Sequence, residues 1–400
     1  MTFLLLFFII WRAADFIIAS VTNLLHLANT PFAYGFTPYH TIPYLTQYLV
    51  AFANFDGAHY LHIAHDGYMQ YEQTFFPLYP LIIHFLTPVF GSSYLLTGFV
   101  ISNLSFFFGL YFFKKYLELL GKKPKTILWI FLLLITFPTS FFFGAVYTEG
   151  LFFLLTTVSL YFAQKKEYIK LITVAILISL TRLIGIFLFI PLLAILLEGK
   201  NLNLKQASWK KKINALSHYI FTNKRLVFIS LSPLIGLVIY MIYLYFTTGD
   251  ILDFYHAQAA FNNGRAANHL ILLPQVYYRY LKILFTAAHD TTYFVSVVEF
   301  VTFTLFLIVL LYDLWKLWRA KPVPGKLSLI GLNLFSLINL LLPTFTGTLT
   351  STPRYLLLSL SFFIRIAEIK NVIFRISLVT LFIIFHIILL SLFIQGYFVG

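Results

Sequence analysis

Lys and Arg are missing from the whole stretch between Arg12 and Lys114, and where they return they come in bursts. The bursts separate long apolar runs. Roughly 17–25 apolar residues suffice to cross the hydrocarbon core of a bilayer. Runs of that character lie near 2–25, 91–113, 126–146, 150–164, 168–181, 183–198, 226–247, 293–314, 327–342, 354–365 and 372–395. Hydrophobic residues make up 60 % of the chain and charged residues 10 %, against roughly 25 % charged in a soluble domain. A water-soluble core of this size could not hide 47 Phe and 26 Tyr. The expected fold is therefore an all-α polytopic membrane protein of about eleven transmembrane helices, one domain over 1–400. Disorder, a coiled coil and, with no Cys present, a disulfide scaffold are excluded. The first run leads into Arg12 and Asp15 rather than out of a basic leader, and reads as a retained first membrane helix. Arg12 and Asp15 stand three apart, so they share a helix face and can offset each other's burial.

Cytoplasmic loops of membrane proteins favour Lys and Arg, and the bursts fall on every second connection. Lys114, Lys115, Lys122, Lys123 and Lys125 form one; Lys165, Lys166 and Lys170 the next. Seven follow in 199–225, four in 315–326, and Arg365, Lys370 and Arg375 close the series, so that 22 of the 28 basic residues mark one side. The net charge of +14 is thus a topology signal and not a footprint for nucleic acid. The N-terminus is expected in the cytoplasm, with loops 26–90, 248–292 and 343–353 outside it. With the connection at Glu149, the outer side holds Asp56, Asp66, Glu72, Glu149, Asp250, Asp253 and Asp290 and nine of the eleven His, which places the chemistry on the outer face.

The first outer loop is too long and too aromatic for a plain connector. Its stretch from Tyr48 to Tyr68 has the apolar-polar periodicity of an interfacial amphipathic helix. Within it, Asp56, His59 and Tyr60 stand at i, i+3 and i+4 and share one face. A carboxylate at the water–membrane boundary can have a basicity suited to proton abstraction. Gly57 permits close approach of another backbone. His59, His62 and His65 with Asp56 and Asp66 are of ligand type for a divalent metal. Their spacing drifts around a helix, however, and no HExxH pair occurs, so neither a metal nor any other cofactor is favoured. A bland alternative leaves the His residues among lipid headgroups.

Five blocks carry a resemblance. They are Asp56-Gly57-Ala58-His59-Tyr60 with Ile63-Ala64 and Gly67-Tyr68; Glu72 with Phe75-Phe76-Pro77; Phe137 to Phe142 with Tyr147-Thr148-Glu149; Thr181-Arg182 with Gly185; and Thr352-Pro353-Arg354-Tyr355. In order and spacing these resemble the PIG-V family of integral membrane mannosyltransferases, of the GT-C class of polyprenyl-phosphate-sugar-dependent glycosyltransferases. Phe55 stands where the family usually has Trp, Gly150 where Ser is usual, and Leu183-Ile184 where polar residues are frequent. The Lys-, Phe- and Ile-rich composition fits a prokaryotic-type member in a plasma membrane; a eukaryotic member would sit in the endoplasmic reticulum.

The resemblance implies a GT-C-type bundle and a polyprenyl-phosphate-hexose donor whose tail stays in the bilayer, with a lipid or glycan acceptor. Asp56 would be the general base of an inverting transfer. Arg182 and Arg354 would clamp the departing phosphate, since Arg binds phosphate bidentately; the plain alternative pairs them with Glu149 or another carboxylate. His59, Tyr60, Glu72, Glu149 and Tyr355 complete the expected substrate-binding set. Loop 248–292, with Asp250, Asp253, His256, Gln258, Asn262, Asn263, Arg265 and His269, offers hydrogen-bonding groups for a sugar and could cover the acceptor, or simply cap the interface. Two other classes compete. A flippase or transporter for lipid-linked sugars would show inverted repeats and broken midplane helices, and a non-catalytic subunit would not need Asp56. An epitope tag inserted within 199–225 should be reached by antibody only from the cytoplasmic side; labelling of intact cells from outside would overturn the topology.

Overall fold

A computed structural model of the protein describes residues 2–25, 49–198, 222–260, 270–321 and 324–399. Hydrocarbon offers backbone N–H and C=O groups no water, so apolar runs satisfy their hydrogen bonds internally by winding into helices. No strand occurs among the described residues. The helices are α1 (Thr2–Leu24), α2 (Asp56–Asp66), α3 (Leu78–Leu86), α4 (Tyr94–Leu119), α5 (Pro124–Thr136), α6 (Glu149–Lys165), α7 (Tyr168–Ser179) and α8 (Phe189–Leu197). After residues 199–221, α9 (Lys224–Ser230), α10 (Pro233–Thr248), α11 (Asp253–His256), α12 (Leu273–Thr286) and α13 (Thr291–Arg319) follow. The chain closes with α14 (Lys326–Leu341), α15 (Thr352–Tyr355), α16 (Leu360–Ala367) and α17 (Val372–Ile394).

Each of the eleven apolar runs contains helix, but among the described residues five helices are long and apolar enough to cross a membrane, or six if the pair α9–α10, bent by 50°, counts as one. The other runs are shorter or interrupted, and the interruptions have causes. The run 126–146 is not one helix: α5 ends at Thr136 and Phe137 turns extended with ψ 140°, because the ring of Pro138 disfavours helical geometry in the residue before it. A 3₁₀ turn, Ser140–Phe143, then leads toward α6. Pro233, which lacks a backbone N–H, sits at the α9–α10 bend. The run 354–365 breaks into α15, a 3₁₀ turn at Leu356–Leu358, and α16. The interfacial helix expected over 48–68 begins only at Asp56, after a 3₁₀ turn at Val50–Ala53, and ends where Gly67 takes φ 87°.

α4 packs along α6, α6 against α7, α7 against α10, α8 against α14, α13 against α14, and α1 against α17. The outward faces of α10, α13 and α17 stay apolar, as at Phe246, Ile308 and Ile373, which suits contact with lipid tails. Inside α1, Arg12 and Asp15 form the ion pair expected from their spacing, Nη1 donating to Oδ2 at 2.9 Å. His386 of α17 meets the other Asp15 oxygen at 2.8 Å, and Arg12 donates a second bond to the Gly144 carbonyl at 3.1 Å. The guanidinium is also ringed by Phe16, Phe52 and Phe99 at 4.4–4.9 Å.

Gly150, in the first turn of α6, lies against α4 and the turn at Ser140–Phe143. A Cβ there would meet the carbonyl oxygens of Ser102 and Phe143 at 2.5 and 2.6 Å, so the departure from Ser at this position has a steric reason. Gly150→Ala should destabilise the bundle by about 1–3 kcal/mol, as overpacking generally does. The measure is the midpoint of thermal unfolding in detergent, and an unchanged midpoint would contradict this helix spacing.

Candidate active site

The segment before α2 bends sharply. Phe55 takes φ 59° and ψ −117°, a conformation that L-residues seldom adopt and that persists only when neighbours enforce it. Here the Asn54 amide donates to the Phe393 carbonyl at 2.8 Å, the Tyr147 hydroxyl donates to the Asn54 carbonyl at 2.7 Å, and the Val146 N–H bonds the Phe52 carbonyl at 2.9 Å. A Cβ on Gly57 would lie 3.1 Å from the Val146 oxygen, so Gly lets the two segments touch. The result is Asp56 in the first turn of α2, where unpaired helix N–H groups favour a carboxylate.

Arg354 approaches from the opposite end of the sequence. Its short helix α15 starts from Ser351 at φ 67°, with Pro353 in the first turn, where its missing N–H costs nothing. The Ser351 N–H is held by Glu299 Oε1 at 3.1 Å, and Thr139 Oγ1 donates to the Pro353 carbonyl at 2.8 Å. Arg354 Nη1 then donates to Asp56 Oδ2 at 2.5 Å, and its Nε lies 3.6 Å from Glu149 Oε1. Arg182, between α7 and α8, donates to the same Glu149 oxygen. The four residues form one chain of alternating charge, Asp56–Arg354–Glu149–Arg182, with no net charge. Aromatic rings enclose it. Arg354 lies over Phe142, Tyr147 and Tyr355 at 5.3–5.5 Å, and Arg182 over Tyr355 at 5.4 Å.

Exposure is graded along this chain. The Glu149 side chain is 1 % exposed and Arg354 7 %, Arg182 reaches 16 %, and Asp56 27 %. Asp56 is thus the member most open to an incoming molecule, with guanidinium directly behind it. Glu149 Oε2, Ser351 Oγ and Thr352 Oγ1 are buried without a hydrogen-bond partner among the described residues. Tyr60 packs edge-on against Phe75 and Tyr79. Burial, and then the Asp56 carboxylate, push its phenol far up, so it stays neutral and can act as a hydrogen-bond donor.

His59 and Glu72 form a separate arrangement. His59 Nδ1 meets Glu72 Oε1 at 2.9 Å and His62 Nδ1 meets Oε2 at 3.0 Å, while the Met69 N–H donates to Oε2 at 3.0 Å. Phe75 stacks on the His59 ring at 4.9 Å. Glu72 therefore staples α2 to the turn that follows it. No group of three or more His, Asp or Glu able to hold a metal occurs among the described residues. In the second long loop, Asn262, Asn263, Arg265 and His269 lie outside the described residues. Its described start packs Phe254 onto Phe76 at 5.7 Å, and the Tyr240 hydroxyl of α10 donates to the Gln73 carbonyl at 2.8 Å. Both contacts cover the end of the first loop.

The expected residues Asp56, Tyr60, Glu149, Arg182, Arg354 and Tyr355 come together. Four contributors were not singled out from the sequence. Phe142 and Tyr147 stood inside a recognised block without a visible role. Ser351 is a backbone effect that its identity does not announce. Glu299 had a usable signal, a lone carboxylate in an apolar run.

Burial opposes ionisation of Glu72, but hydrogen bonds from His59, Met69 and His62 outweigh it and hold its carboxyl below the usual range. A depressed folded-state pKa means that the contribution is present above the ordinary Glu value of ~4.3 and is lost as pH falls through the folded value. In Glu72→Gln, stability at neutral pH should drop by about 1–3 kcal/mol, and the acid-induced fall in melting temperature should flatten below about pH 4.3. Parallel pH profiles for the two proteins would remove the assignment.

The family model described as Mannosyltransferase (PIG-V) matches residues 2–195, which span α1 to most of α8 and carry every expected site residue except Arg354 and Tyr355. No curated protein and no solved structure matches the chain. Through residues 2–195 the chain is similar to the mannosyltransferase (PIG-V) family of glycosyltransferases, and its long apolar helices fit a multi-pass membrane protein.

Proposed function

We propose that the protein transfers a hexose, mannose by the family's description, from a polyprenyl-phosphate donor to a hydroxyl of a lipid or glycan acceptor at the extracytoplasmic face. About eleven helical segments, some broken, would form the membrane body, and the donor's tail would remain in the bilayer. The observation that carries the reading is the contact between Asp56 and Arg354, with the carboxylate at the accessible end of a neutral charge chain.

Transfer needs a base and a cation close together. Asp56 takes the proton of the acceptor hydroxyl while that oxygen forms a bond to C1 of the hexose. The bond from C1 to the phosphate oxygen breaks, and the electron pair leaves with polyprenyl phosphate. Direct displacement of this kind inverts the anomeric centre, so a β-linked donor gives an α-product. Negative charge grows on the leaving phosphate as the bond breaks. Arg354 can shift hydrogen bonds from Asp56 to that phosphate, because a guanidinium offers five N–H donors. Arg182 supplies a second cation, and Glu149 holds the two guanidinium groups in register rather than acting on substrate. Neutral Tyr60 and the ring of Tyr355 line the approach. His59 and Glu72 brace the helix that carries Asp56.

Asp56→Asn keeps an oxygen that can accept from Arg354 but loses the base. In membranes supplied with polyprenyl-phosphate-mannose, transfer should fall on the order of 10²–10⁴-fold, the usual contribution of general base catalysis, while membrane insertion is unchanged. Full activity in that variant would sink the general-base assignment.

A further inference from the structure

The chain that leads into α15 is tied down at every second residue by Ile271, α12 and α13. The Ile271 N–H donates to the Phe345 carbonyl at 3.0 Å, and Arg279 Nη1 donates to the Gly347 carbonyl at 3.1 Å. The Leu349 N–H donates to the Tyr280 hydroxyl at 3.0 Å, and the Ser351 N–H to Glu299 Oε1 at 3.1 Å. Tyr280 and Glu299 are themselves joined, the phenol donating to Oε2 at 2.7 Å. Leu349, Ser351, Tyr280 and Glu299 are all buried, so breaking any of these bonds leaves a desolvated group unpaired.

From Ser351 the restraint passes directly to the guanidinium. Ser351 sits at φ 67°, a conformation that only its surroundings maintain. Its carbonyl accepts from the N–H groups of Arg354 and Tyr355, both at 3.1 Å, so the turn that carries Arg354 hangs on it. The carboxyl of Glu299 suits this place for a chemical reason. Its two oxygens receive two separate donors, a backbone N–H and a phenol, whereas a Gln side chain offers one acceptor oxygen and an NH₂ group. With a Gln oxygen on Ser351, the amide would face a Tyr280 oxygen that already accepts from Leu349. The phenol proton would then lose its acceptor. Burial, and then the charge of Glu299, push the Tyr280 phenol far up, so it remains a donor.

We propose that Tyr280 and Glu299 are positioning residues for the transfer: acting through Ser351, they set where Arg354 stands relative to Asp56 and the departing phosphate. The effect on rate rests on the transfer reading; the placement of Arg354 rests on the contacts alone. Negative charge on the phosphate grows as its bond to C1 breaks. A displaced guanidinium is therefore missed more in the transition state than in the bound donor. The loss falls on kcat and spares KM. A tether that served stability alone would lower the melting temperature and leave kcat per folded molecule unchanged.

The test uses Glu299→Ala, Glu299→Gln and Tyr280→Phe in the full chain, in membranes supplied with polyprenyl-phosphate-mannose as the varied donor. In Glu299→Ala, kcat should fall on the order of 10²-fold, as a misplacement of about 1 Å can produce, with KM little changed. Glu299→Gln should recover part of the loss. Tyr280→Phe keeps the ring and removes only the hydroxyl; it should also lower kcat, and it decides the matter should Glu299→Ala fail to fold. Unchanged kcat in Tyr280→Phe, or a raised KM with kcat intact, would overturn the proposal.

A second readout needs no turnover. Phenylglyoxal modification of Arg354, followed by peptide mass spectrometry, should be faster in Tyr280→Phe than in wild type. Modification of Arg12, buried to the same degree in α1, should not change. An equal rise at both residues, or none at Arg354, would overturn the positioning role. An active Asp56→Asn enzyme would defeat the general-base reading and leave this placement of Arg354 standing.

Discussion

A charge that leaves water must take its partner with it. Losing one member of a buried ion pair costs about 3–5 kcal/mol, because the other is left uncompensated. Two such pairings organise this protein. Arg12, Asp15 and His386 tie α1 to α17 and reach the Gly144 carbonyl. Arg182, Glu149, Arg354 and Asp56 join segments that lie some 300 residues apart in sequence. The apolar surfaces can pack in many registers, but few of them bring every one of these charges to its counterpart. The ion contacts thus select the arrangement that hydrophobic packing only permits.

The same contacts hold unfavourable backbone in place. Asp56 directly follows Phe55 at φ 59°, and Arg354 lies three residues after Ser351 at φ 67°, both non-glycine residues at positive φ. Strain of this kind is characteristic of functional sites and is maintained by the structure around it. At Phe55 the restraint comes from Tyr147 and Phe393, and at Ser351 from Glu299. Each of the two side chains is therefore positioned by residues from distant parts of the sequence, which gives the pair a fixed geometry.

What could be read from the sequence followed from chemistry that is local. The all-helical character came from apolar runs, the Arg12–Asp15 pair from i, i+3 spacing, and the pairing of Arg182 and Arg354 with Glu149 from the plain alternative that buried charges need partners. What stayed hidden was non-local. Hydropathy does not reveal that Pro138 stops α5 or that Pro233 bends α9 against α10. Helical spacing put His59 on the face of Asp56, yet its imidazole is bound to Glu72, thirteen residues on. Glu299 was visible only as an odd carboxylate in an apolar run, since its purpose depends on a loop fifty residues away. Gly150 resembled a neutral departure until the carbonyls of Ser102 and Phe143 appeared beside it.

The meeting of α1 with α17 also bears on the order of events at the ribosome. Asn54 is held by Phe393, Asp15 by His386, and Thr22 by Ser391. The first helix and the Asp56 turn are synthesised more than 300 residues before those partners exist. Until α17 has been inserted, the Arg12–Asp15 pair lacks its third member and the bend at Phe55 lacks one of its anchors. The carboxylate at Asp56 therefore gains the last of its supporting contacts only when the C-terminal helix is in place.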